Sequence, residues 1–119
     1  MLQIYRKKQE LEKQTKLNEK VRQEMLILIN KSMQTANSFF SKKQYQQAVL
    51  NYTEVIKLNP SNAEAYFKRG QSYWHLNNKD NAIKDFDKAT ALDSTYGKQL
   101  LGLGIAGIAG NLINKFLKK

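Results

Sequence analysis

The sequence contains no cysteine, one histidine (His75) and one proline (Pro60). The missing thiols exclude disulfides, thiolate metal sites and cysteine nucleophiles. A lone histidine cannot form a His-rich metal centre, and no glycine-rich phosphate loop is present. Neither a metal, a cofactor nor a small-molecule substrate is expected, and no catalytic constellation stands out. Asp80, Asp85 and Asp87 lie close together, but without a partner base they read as a solvated helix face. Glycine is scarce until the C-terminal end, where five of the six fall between Gly97 and Gly110.

Acidic residues are also few. Ten Asp and Glu stand against twenty Lys and Arg, a net charge of +10. Residues 1–31 and 97–119 each carry a net +4, whereas residues 32–96 carry +2. The ends are basic and the middle is nearly balanced. Charge alone would permit nucleic acid. No arginine-rich run or basic-aromatic patch occurs, however, and lysines alternate with glutamates as on a solvated helix face, so nucleic acid is not an expected partner. Glu10, Glu12 and Glu19, and the absence of an apolar core before residue 20, set the N-terminus apart from a cleaved targeting peptide.

What remains is a chain of good helix formers supplied with six Tyr, five Phe and one Trp. Residues 29–62 set above residues 63–96 align at an offset of 34. Ala36 meets Gly70, Phe39 meets Tyr73, Phe40 meets Trp74, Ala48 meets Ala82, Tyr52 meets Phe86 and Leu58 meets Leu92. The small residue at 36 or 70 lets a neighbouring helix approach, and the aromatic three residues on fills the space beside it. Ala48–Tyr52–Val55 and Ala82–Phe86–Ala89 keep the spacing of a second apolar helix stripe. The stretches "SKKQY" and "HLNNKDN" between the helices are turn-forming, and Pro60 ends the first hairpin.

A helix–turn–helix unit of this period resembles the tetratricopeptide (TPR) repeat. The second copy supplies Tyr66, Gly70, Tyr73, Ala82, Phe86 and Ala89, with Ser94 where the family usually has proline. The first supplies Ala36, Phe39, Ala48, Tyr52 and Pro60, with Ser32 in place of the opening aromatic. The resemblance implies an all-α fold: a short TPR helical solenoid of two helix–turn–helix repeats at 29–96, preceded by a long N-terminal helix over 1–28. A Gly-rich apolar C-terminal helix over 97–119 completes it. Two repeats are few for a solenoid, so the extensions are candidates to cover its ends.

Leu17, Val21, Met25 and Leu28 form an apolar stripe able to run into the first repeat, whereas no steady heptad precedes Leu17. At the other end, "LLGLGIAGIAG" (100–110) carries no polar side chain. In the repeat register Leu100 falls under Tyr66 and Gly104 under Gly70, the position of a third, degenerate repeat or a cap. Its glycines make it a poor helix in water, while Gly102, Ala106 and Gly110 form a small-residue stripe suited to close helix contact. Leu100 to Leu117 would extend about 27 Å as a helix, close to a hydrocarbon core of roughly 30 Å. Residues 100–117, through Leu100, Leu101, Leu103, Ile105, Ile108, Leu112 and Ile113, are therefore expected to dock on a membrane or on neighbouring subunits. The layout resembles that of the tail-anchored mitochondrial fission adaptor family.

TPR proteins bind partner peptides or helices in a concave groove lined by the first helix of each repeat. The resemblance places Met33, Asn37, Phe40, Phe67, Lys68, Gln71 and Trp74 there. Co-chaperones of this family grip a C-terminal carboxylate with a Lys/Asn/Arg clamp. Asn37 and Lys68 echo that clamp, but Met33 and Glu64 stand where lysines are usual, which disfavours chaperone tails. The function expected is that of a non-catalytic interaction scaffold. Its leading form is a small adaptor subunit of a membrane-associated, mitochondrial complex; the alternative is a soluble, cytoplasmic TPR adaptor or co-chaperone taking a partner peptide in the groove.

Overall fold

The computed structural model describes residues 1–102, which form five helices and, among those residues, no strand. They are α1 (Leu2–Ser41), α2 (Tyr45–Leu58), α3 (Ala63–His75), α4 (Lys79–Leu92) and α5 (Thr95–Gly102). Each helix packs against the next in the chain. The connections repeat as the sequence does. Lys43 (φ 61°) and Asn77 (φ 62°), one repeat apart, both take the left-handed backbone that reverses the chain after α1 and after α3. Asn62 and Asn78 then start α3 and α4, their side chains accepting from the backbone N–H of Ala65 (3.1 Å) and Asn81 (3.4 Å).

The paired positions become the core. Ile29, Ala36, Ala48, Tyr52 and Val55 bury together in the α1–α2 hairpin and are joined by Ala65 from α3, which ties the second repeat to the first. Phe67, Ala82, Phe86 and Ala89 form the second cluster, closed by Leu100 from α5. Gly70 sits where the helices come closest. A Cβ added there would lie 2.8 Å from two ring carbons of Phe86 and 3.2 Å from the carbonyl oxygen of Ala82.

α5 follows α4 with little room between them. A Cβ at Gly97 would come within 3.1 Å of the Thr90 Cγ2. Tyr96 packs against the second cluster and Leu100 is fully buried in it. This corrects the docking role expected of Leu100: its side chain covers the last repeat because Phe67, Ala82, Phe86 and Ala89 leave an apolar face that needs a lid. Leu101, the next residue, is 51% exposed. Leu103, Ile105, Ile108, Leu112 and Ile113 lie outside the described residues. Among the described residues no helix is long and apolar enough to cross a membrane.

At the N-terminal end, α1 runs unbroken through the position where an extension and a first repeat were distinguished. No proline or glycine interrupts it. Residues 1–28 are exposed throughout, a projection of about 42 Å at 1.5 Å per residue. The stripe Leu17, Val21, Met25 and Leu28 continues into the repeat as expected, yet stays exposed because burial begins only at Ile29, where α1 first meets the repeats.

Gly70→Ala tests the packing. Alanine raises helix propensity by about 1 kcal/mol, but the contact with the fixed Ala82 carbonyl forces the two helices apart, and overpacking of this kind costs about 1–3 kcal/mol. A lower melting temperature is expected by circular dichroism; an increase would contradict the close α3–α4 contact.

Candidate partner-binding face

α1 and α3 are parallel counterparts in the repeat, and their side chains meet across one polar contact. Asn37 of α1 is half-buried, and its Oδ1 accepts from the Tyr52 hydroxyl (2.6 Å) and from the Lys68 Nζ (3.1 Å). The Lys68 ammonium also pairs with Glu64 one turn earlier on α3 (3.4 Å). One amide thus links α1, α2 and α3. Burial raises the Tyr52 phenol well above its ordinary range, with the Glu64 carboxylate adding to the effect.

The other expected groove residues divide into two groups. Gln71 is half-buried, and its side-chain amide makes no hydrogen bond among the described residues. Met33 and Phe40 are half-buried against the first core cluster, and Trp74 against the second. The Lys79 ammonium lies 5.5 Å from the centre of the Trp74 ring. Phe67 is the exception. It is 4% exposed, with its ring 5.7 Å from Phe86 and 4.7 Å from Tyr96, so it belongs to the core and not to the groove lining.

Two groups stand out in the structure that the sequence pattern passed over. At the hairpin tips the His75 ring stacks on Tyr45 at 4.3 Å and an interplanar angle of 7°, with Phe40 edge-on to both. Deeper, Arg69 of α3 forms a bidentate pair with Asp85 of α4, both bonds at 2.7 Å, and donates a third to the Thr53 hydroxyl of α2 (3.2 Å). Its guanidinium lies between the rings of Tyr66 and Tyr73. Asp85 is 5% exposed, which corrects its reading as part of a solvated face. The signal was present: Asp85 falls on the same helical face as Ala82, Phe86 and Ala89. Hydrogen bonding to Asp85 holds Arg69 protonated more firmly than usual, against the opposing effect of burial. Removing one member of such a buried pair costs about 3–5 kcal/mol.

The family model described as "TPR repeat" matches residues 36–77, and that described as "Tetratricopeptide repeat" matches residues 63–96. The chain is a tetratricopeptide-repeat protein. Among curated relatives, Hsp70-Hsp90 organizing protein 1 of Glycine max is 34% identical over 91 residues, covering 76% of this chain and 15% of the relative. U-box domain-containing protein 70 of Oryza sativa subsp. japonica is 38% identical over 65 residues, 55% of this chain and 8% of the relative. Small glutamine-rich tetratricopeptide repeat-containing protein 2 of Saccharomyces cerevisiae is 36% identical over 73 residues, 61% and 21% respectively. The chain thus spans a quarter or less of the length of each of these three relatives.

The raised Tyr52 phenol gives this TPR face a pH signature. An unfolded tyrosine ionises near pH 10 while the folded one stays protonated, so the contribution of Tyr52 is complete below about pH 10 and is lost as pH rises, by about 1.4 kcal/mol per unit. Urea melts between neutral and alkaline pH should therefore fall more steeply for the natural chain than for Tyr52→Phe. Equal slopes would show that the phenol is not buried as described.

Proposed function

We propose that this chain is a non-catalytic adaptor that holds a segment of a partner protein against the face shared by α1 and α3. One observation carries the reading. Asn37, Phe40, Gln71 and Trp74 remain half-exposed on the first helices of two successive repeats, while the Asn37–Lys68 contact braces those helices against each other. Half-buried aromatics beside side-chain amides suit a peptide-binding surface. Two titratable side chains of the repeats have structural contacts: Asp85 holds Arg69, and the His75 ring lies on Tyr45.

The relatives favour a co-chaperone type of adaptor over a membrane-bound subunit, since several bear the name Hsp70-Hsp90 organizing protein. The role of Leu100 in the core supports the same preference, because the segment that begins there starts as a lid on the repeats.

A photo-crosslinking amino acid at position 71 tests the reading directly, with position 57 as control; Lys57 lies exposed on α2, away from the proposed face. In extract from the source organism, the position-71 probe should give a discrete protein adduct that Trp74→Ala greatly weakens while the circular dichroism spectrum is retained. Adducts from position 57 alone would place partner contact elsewhere and remove the basis for this assignment.

A further inference from the structure

Recognition of a chain terminus by its carboxylate is strongest where a cation is free to pair with it. On the α1/α3 face that cation would be Lys68, and it is already engaged. Its ammonium donates to the Asn37 Oδ1 at 3.1 Å and pairs with Glu64 at 3.4 Å. We infer that this face binds an internal stretch of a partner polypeptide and rejects a free C-terminal carboxylate, because Glu64 neutralises Lys68 and would repel a second anion. The inference rests on the adaptor reading above and specifies its ligand.

The surroundings strengthen the point. Glu64 remains half-exposed, so its charge faces an incoming ligand as well as Lys68. The phenols of Tyr52 on α2 and Tyr96 on α5 are both raised, chiefly by burial and further by the Glu64 carboxylate. Arg69 is held by Asp85, and Lys79 lies over the Trp74 ring. Lys98 of α5 is exposed, and an exposed single lysine adds little to binding.

What the face does offer is uncharged. Both bonds accepted by the Asn37 oxygen come from within the fold, which leaves the Nδ2 hydrogens without a partner among the described residues. Gln71 contributes both an amide donor and an acceptor. Two side-chain amides on successive repeats match the N–H and C=O groups of a main chain, which every internal peptide carries. Met33, Phe40 and Trp74 beside them suit apolar side chains, and Glu64 suits a lysine or arginine of the ligand.

The test uses the full chain on an array of random dodecapeptides, each synthesised with its C-terminus amidated and again as the free acid. The natural chain should bind amidated peptides, enriched in Lys or Arg, about tenfold more tightly than their free-acid forms. Glu64→Gln should erase the difference and Glu64→Lys should reverse it, with helicity unchanged. Free acids bound more tightly by the natural chain would overturn this inference and leave the adaptor reading standing. Silence in both formats, from protein shown to be folded, would overturn the adaptor reading itself.

Discussion

The distance between α3 and α4 at Gly70 governs much of what surrounds it. With no side chain at that position, the Phe86 ring and the Ala82 carbonyl lie directly against the α3 backbone. That proximity lets the short reach of Asp85 meet the Arg69 guanidinium with two bonds of 2.7 Å, and lets Arg69 extend a third bond to Thr53 of the preceding repeat. A wider spacing would leave an unpaired acid in an apolar interface, where charge is costly. The close contact and the buried ion pair are therefore mutually dependent. Together they fix α3, one of the two helices that carry the proposed binding face.

The face itself combines rigidity with neutrality. Asn37 draws in donors from α2 and α3, so the first helices of both repeats are held in register by hydrogen bonds that involve no partner. The protein carries a net charge of +10, yet this surface pairs its central lysine with a glutamate. The surplus of positive charge lies instead on the projecting part of α1 and toward the C-terminal end.

Much of this was legible in the sequence. The 34-residue offset paired Ala36 with Gly70, Ala48 with Ala82 and Tyr52 with Phe86, all of which are buried, and the turn stretches fell where Lys43 and Asn77 reverse the chain. Small and aromatic residues report packing reliably because few other environments tolerate them together. Polar residues do not. Asp85 has the composition of a surface and the position of a core residue, and only its place between Ala82, Phe86 and Ala89 on the helix betrays it. Leu100 takes the cap position that the repeat register offered beside docking, whereas nothing in the two-repeat pattern brings Tyr96 of α5 onto Phe67. The contact between Tyr45 and His75, thirty residues apart, depends on how two hairpin tips meet.

The central claim is that ligand recognition occurs through Asn37 and Gln71 on a braced α1/α3 face. Side-chain amide signals in a nitrogen–proton correlation spectrum report it most directly, recorded while a bound partner segment is titrated into the labelled chain. The account predicts that the amide pairs of Asn37 and Gln71 shift together, while those of Asn51 on α2 and Asn81 on α4 stay in place. Movement of Asn51 or Asn81 with Asn37 and Gln71 unaffected would contradict it.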